Sequence, residues 1–120
     1  MGLHHSSAMS KFRSQSLNDN SELIKTYAFY QQLCKLTFID KIILFGSRAR
    51  GDHKKKSDID LGILCPHANH ADWISVTNII TDADTLLPID CIRCDTLPSN
   101  SLLLHNIYNE GVCLYEKTFT

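Results

Sequence analysis

The chain has 120 residues, of which 43% are hydrophobic and 21% charged, and its formal net charge is -1. This length and apolar content predict one small domain with its own core and leave no room for a second catalytic domain. The near-neutral charge excludes a global field for nonspecific nucleic-acid binding, and the sequence has no run of about 18 apolar residues to form a transmembrane helix.

The first part of the chain is rich in Ser, His and Asn. We expect residues 1–20 to be a disordered tail outside the fold, of which residues 1–8 resemble an added leader. The folded domain is predicted over residues 21–120.

Hydrophobic periodicity and turn residues then predict seven elements. In chain order they are a helix from Asn20 or Ser21 to about Lys35, strands over Lys41–Phe45 and Ser57–Cys65 joined by a polar turn, a helix from about His70 to Ala83, a strand within Leu87–Arg93, a helix over Pro98–Glu110 and a short strand over Val112–Tyr115. This order predicts an α+β fold, a small mixed β-sheet with helices packed mainly on one face.

Two acidic residues stand close together at the start of the second predicted strand. Because side chains alternate across a pleated strand, Asp58 and Asp60 should share one face. Neighbouring carboxylates repel unless a cation compensates them, and ligands that are all oxygen suit Mg²⁺ or Mn²⁺. The spacing also suits a pair of ions about 3.5 to 4 Å apart.

The first predicted strand ends on Gly46-Ser47, where the backbone can approach a ligand closely. Alone, such a dipeptide is most often an ordinary turn. Followed by a basic connection and the acid pair, it favours a site for a metal and a nucleotide. Arg48 and Arg50 are the expected phosphate contacts, whereas Lys54–Lys56 are expected to be a solvated turn.

Gly46-Ser47, ten residues and then Asp58-x-Asp60 resemble the signature of the DNA polymerase β-like nucleotidyltransferase superfamily, and the short chain resembles its minimal nucleotidyltransferase (MNT) branch. The likeness spans residues from about 21 to 116. It implies a third carboxylate from a later strand, for which Asp90 matches and Asp95 is the alternative.

The resemblance further implies ATP as substrate and two Mg²⁺ ions, with Mn²⁺ as a substitute. The metal ligands and catalytic residues would be Asp58, Asp60 and Asp90, and the phosphate-binding residues would be Gly46, Ser47, Arg48 and Arg50.

MNT proteins typically pair with a HEPN-domain RNase toxin, so the resemblance implies an antitoxin that moves AMP to a hydroxyl, expected to be a tyrosine, of such a partner. Two alternatives stay open. One is a binding module that masks the partner sterically without catalysis, and the other is an RNA-directed nucleotidyltransferase that uses the basic turn. A membrane partner is not expected, and direct nucleic-acid binding is not favoured.

Five cysteines lie mostly within apolar runs. This is typical of reduced thiols, so we predict a cytoplasmic protein. Cys91 and Cys94 have the spacing of a metal or redox pair, but on a strand their sulfurs would point to opposite faces. We therefore do not expect a zinc or redox site there.

Overall fold

A four-stranded mixed sheet organises the protein, which a computed structural model describes over residues 19–118. The predicted N-terminal tail lies outside these residues, apart from Asp19 and Asn20, which begin the first helix. Within residues 19–118 no helix combines the length and the apolar character that crossing a membrane would need.

Helices and strands alternate along the described part of the chain. The elements are α1 (Asp19–Lys25), α2 (Ala28–Cys34), β1 (Lys41–Phe45), α3 (Ser47–Arg50), β2 (Ile59–Leu64), α4 (His70–Thr81), β3 (Ile89–Arg93), a 3-10 turn (Cys94–Thr96), α5 (Leu102–Glu110) and β4 (Val112–Glu116).

The strands lie side by side in the order β3-β2-β1-β4. β1 runs antiparallel to both β2 and β4, whereas β2 and β3 are parallel. A parallel pair needs a crossover, and α4 supplies it between β2 and β3. The mixed sheet that the element order predicted is therefore confirmed.

Core residues cover both faces of the sheet. Ile42 and Leu44 pack into the larger cluster, on the side of α1, α2 and α4. Ile43 and Phe45 face the other way and pack with Ile107 of α5. The apolar residues of β1 are thus covered on both sides of the sheet, and three of the four longer helices lie on one face.

The single N-terminal helix that we predicted is two helices, α1 and α2. The chain breaks at Thr26 and Tyr27, and the Asp84 carboxylate then accepts the first N–H groups of α2, from Ala28 at 2.9 Å and Phe29 at 3.1 Å. Those N–H groups have no partner inside the helix, so a carboxylate there stabilises a new helix start.

The ends of the other helices differ slightly from prediction. α5 begins at Leu102 rather than at Pro98, because the hydroxyl of Ser101 accepts the N–H of Leu104 at 3.2 Å and caps the helix there. α4 begins at His70 as predicted, behind a capping box of Asn69 with Asp72.

Candidate nucleotide site

The ends of three neighbouring strands meet at one end of the sheet. Phe45, the last residue of β1, is opposite Asp60 in β2, and Asp60 is in register with Asp90 in the parallel strand β3. Directly paired residues project from the same face of a sheet. The structure therefore places Asp60 and Asp90 side by side on one face.

The third predicted acid joins them from the chain just before β2. β2 begins at Ile59 rather than at Ser57, so Asp58 precedes the strand instead of lying within it. Asp58 and Asp90 are exposed, whereas Asp60 is half-buried. Asp90 lies on the edge strand β3, a position that is open to solvent as well as to a ligand.

The other two carboxylates act on the ionisation of Asp60. Burial raises the pKa of Asp60 most, and the charges of Asp90 and Asp58 raise it further, while Arg50 opposes the shift. Desolvation and like charges both disfavour the ionised form. The sequence thus concentrates repelling charges at one point, where a cation would relieve them.

Gly46 fits against the central acid. Its backbone has φ 73° and ψ -157°, a combination open essentially only to glycine. A side chain there would also overlap the Asp60 carboxylate. The glycine is therefore required twice, by its own backbone and by the approach of Asp60.

The predicted polar turn from Ser47 to Lys56 begins with the short helical turn α3. The N–H groups of Ala49 and Arg50 both donate to the carbonyl of Gly46 at 3.1 Å. Gly51, at φ 88°, ends the turn in the left-handed region. The first N–H groups of such a turn point outward, so Ser47 stands in a backbone geometry that suits an anion.

Arg48 differs from its predicted place as a phosphate contact. Only 4% of it is exposed, and its guanidinium donates to the carbonyls of Ser57 at 3.0 Å and Lys55 at 3.1 Å and to Asn20 Oδ1 at 2.9 Å. Backbone carbonyls of the connection, rather than a ligand, use these donors.

Arg50 is the exposed arginine of the pair. It forms ion pairs with Asp52 at 3.2 Å and Glu110 at 3.0 Å, and these two carboxylates raise its pKa. Its charge also acts on Asp60. Of the two predicted phosphate contacts, Arg50 is the one that faces solvent beside the acids.

The alternative acid, Asp95, lies beyond the other end of β3. It pairs with Arg93 at 2.9 Å and accepts the N–H of Cys65 at 2.9 Å. These contacts tie β2 to the 3-10 turn, so they favour Asp90 over Asp95 as the third site acid.

The cysteines carry no disulfide, since all five are free. Cys91 packs with the larger core cluster and Cys94 with the smaller one, on opposite faces as predicted. Lys54–Lys56 are exposed, in agreement with a solvated turn.

The three acids fit a hard divalent cation by the chemistry of their donors, since all are carboxylate oxygens. Within residues 19–118, however, no three His, Cys, Asp or Glu side chains stand close enough together to hold one ion. Asp58 and Asp90 are exposed and have room to turn toward Asp60, and a shared ion requires that movement.

Sequence reasoning missed two residues of this region. Glu110 meets Arg50 across sixty positions of the chain, and Asn20, considered only as a helix cap, binds Arg48. Contacts between residues far apart in the chain produce no recognisable spacing pattern in the sequence. The only signal available was the placement of an acidic residue at the last position of the predicted helix.

The chain matches the family described as Polymerase beta, Nucleotidyltransferase over residues 24–120. No curated protein matches it. Among solved structures, a toxin-antitoxin MntA-HpeT mutant is 18% identical with a TM-score of 0.56, covering 83% of this chain and 74% of that one. A toxin-antitoxin with AMP-PNP is 20% identical with a TM-score of 0.56 and the same coverage. A second MntA-HpeT mutant is 22% identical with a TM-score of 0.53, covering 83% and 73%. At these identities the likeness establishes the fold.

Proposed function

Because this chain belongs to the Polymerase beta, Nucleotidyltransferase family, we propose that it transfers AMP from ATP to an acceptor hydroxyl. The observation that carries the proposal is the contact between the predicted phosphate turn and the predicted acids of the site. Gly46, at the head of the phosphate turn, lies against the carboxylate of Asp60, and Asp58 and Asp90 act electrostatically on that same carboxylate.

The turn at Gly46 and Ser47 would bind the β- and γ-phosphates. The backbone N–H groups at the start of α3 and the Ser47 hydroxyl are donors suited to phosphate oxygens. Arg50 adds a guanidinium at the rim, and phosphate would compete with Asp52 and Glu110 for it. Bound in this way, the triphosphate would present its α-phosphorus toward the acids.

The acids would bind metal and handle the proton. Asp58 and Asp60 would hold two Mg²⁺ ions, or Mn²⁺ as a substitute, with Asp90 on one of them, and the ions would supply charge neutralisation and acidify the acceptor hydroxyl. Asp90 is exposed, so an acceptor can reach it, and it would take the proton from the attacking hydroxyl. The new bond forms to the α-phosphorus as pyrophosphate leaves.

For the acceptor we propose a tyrosine hydroxyl on a HEPN-domain toxin that this chain neutralises. Two observations support a protein acceptor. The solved structures of similar fold include toxin-antitoxin MntA-HpeT mutants and a toxin-antitoxin with AMP-PNP. The domain itself is small, which leaves little surface to enclose a small acceptor. The cytoplasmic location stays a prediction.

The test is transfer of label from ATP carrying ³²P at the α-phosphate, in Mg²⁺, to a candidate HEPN-domain toxin partner. We expect labelled toxin with the native sequence and none with the Asp58→Asn/Asp60→Asn double variant. Asp82→Asn is the matched control, since Asp82 is an exposed aspartate at the end of α4. It should label the toxin normally.

The same assay separates the alternatives. Toxin that stays neutralised by the double variant, without label, would indicate steric masking. Label on RNA instead of protein would indicate an RNA-directed enzyme. Either result contradicts the proposed acceptor.

A further inference from the structure

A buried arginine links the two parts of the candidate site. Arg48 directly follows Ser47 in the phosphate turn, and its side chain crosses to the far end of the connection that leads to Asp58. There Nε donates to the carbonyl of Ser57 at 3.0 Å, and Nη2 donates to the carbonyl of Lys55 at 3.1 Å.

The bond to Ser57 bears directly on Asp58. The carbonyl of Ser57 and the N–H of Asp58 belong to one planar peptide group, so fixing that oxygen restricts the backbone entering Asp58. A second bond within the connection, from Lys54 N–H to Ser57 Oγ at 2.8 Å, holds the same residue from the other side. Both the carbonyl and the side chain of the residue before the acid are thereby held.

Asn20 holds the arginine in turn. Its Oδ1 accepts from Arg48 Nη1 at 2.9 Å, and its Nδ2 donates to the carbonyl of Arg48 at 3.3 Å. The Nδ2 also lies 3.4 Å from Nδ1 of His53, within the same connection. One amide therefore fixes both the backbone and the side chain of Arg48, and 8% of Asn20 is exposed.

Stability alone explains this arrangement poorly. Burying a guanidinium costs free energy, and apolar residues of similar volume usually stabilise a core as well or better. Two of the acceptors of Arg48 are backbone carbonyls of an otherwise exposed connection. What the buried charge provides is a defined path for the chain between Ser47 and Asp58.

We infer that Arg48 and Asn20 are positioning residues of the nucleotidyltransferase reaction, which set the place of Asp58 relative to the phosphate turn. This rests on the proposed function for its kinetic consequence, although the ordering of Asp58 is independent of it. A displacement of about 1 Å of a catalytic group can cost roughly 100-fold in rate.

The test compares Arg48→Lys and Asn20→Leu with Arg93→Lys. Arg93 is a matched control because it is a half-buried arginine that, like the buried Arg48, donates to two backbone carbonyls, those of Cys65 and Ala68, and it lies at the other end of β3. A lysine ammonium cannot reproduce the fork of guanidinium donors at either position. All three variants should lower Tm, so Tm does not distinguish positioning from stability.

Two further measurements, enzyme kinetics and NMR relaxation, distinguish positioning from stability. In Arg48→Lys and Asn20→Leu we expect kcat to fall at least about tenfold while KM for ATP changes less than about threefold, because the phosphate turn is retained. In Arg93→Lys we expect kcat to be kept within about threefold. Asn20→Asp keeps the acceptor for Nη1 and should retain more kcat than Asn20→Leu.

NMR relaxation of the Asp58 N–H needs no activity. We expect an order parameter near 0.85 in the native sequence and in Arg93→Lys, falling below about 0.6 in Arg48→Lys and Asn20→Leu. An unchanged order parameter in those two variants, or an equal loss of kcat in Arg93→Lys, overturns the inference. If the native protein transfers no AMP but the order parameter falls as expected, the proposed function fails and the positioning of Asp58 stands.

Discussion

Replacing Gly46 by alanine should separate backbone strain from damage to the candidate site. Position 46 has φ 73° and ψ -157°, and a non-glycine residue held there costs about 1–3 kcal/mol. The added methyl group also meets the Asp60 carboxylate. We therefore expect Gly46→Ala to lose about 2 kcal/mol of folding free energy from the backbone alone and to push Asp60 out of place.

Gly51→Ala is the matched control. Gly51 also has positive φ, at 88°, but a Cβ built there meets nothing within 4 Å. Strain in the left-handed region costs about 1–2 kcal/mol, partly offset because alanine reduces the entropy of the unfolded chain. We expect a net loss of about 1 kcal/mol, or roughly 4 °C in Tm for a domain of this size.

The assays are urea denaturation for stability, calorimetric titration with a nonhydrolysable ATP analogue and transfer of labelled AMP. Gly46→Ala should lose nucleotide binding and at least roughly 100-fold in transfer, whereas Gly51→Ala should keep both within about threefold. Transfer by Gly46→Ala at the level of Gly51→Ala would refute the argument that Gly46 is kept small for Asp60.

Three other substitutions test particular contacts. Asp60→Asn should abolish transfer yet raise Tm at pH 7. The pKa of Asp60 is raised in the folded protein, so its ionisation lowers folding stability as pH rises from 3.8 through the folded pKa, and the gain in Tm should shrink toward pH 4. An unchanged Tm at pH 7 would contradict the repulsion described. Asp84→Ala should lower Tm because it removes the carboxylate that accepts the N–H of Ala28 at the start of α2. Since the pKa of Asp84 is lowered in the folded protein, thermal melts across pH should show the full loss of Tm above pH 3.8 and a smaller loss below it. Tyr30→Phe removes the buried hydrogen bond to the carbonyl of Leu114 at 2.9 Å and should cost about 1 kcal/mol in urea denaturation, with transfer unchanged.

Strands were predicted well where a run of sequence determines them. The predicted bounds of the strand Lys41–Phe45 match the observed bounds, because its apolar run is clearly set off from the polar residues around it. The place of Asp90 beside Asp60 could not be predicted from a local sequence pattern, since it depends on the parallel register of β2 and β3. The resemblance to a known superfamily supplied that residue, and the register is consistent with it.

The errors have a common physical cause, which is contact between distant residues. No local pattern shows that Asp84 starts a new helix at Ala28, because the two are far apart in sequence. Nor does a basic run reveal which arginine will be buried. Arg48 and Arg50 read alike in sequence, and only the carbonyls of the folded connection distinguish them.

The parallel pairing of β2 and β3 has a consequence for the order in which the proposed nucleotide site assembles. A nascent or partly folded chain could form the antiparallel pair β1 and β2, and with it the approach of Gly46 to Asp60, while residues 65–88 and β3 were still unstructured. Such an intermediate would lack Asp90. Full affinity would then arise only after the crossover had closed, so nucleotide and metal would stabilise the protein against global unfolding and would not rescue chains truncated before β3.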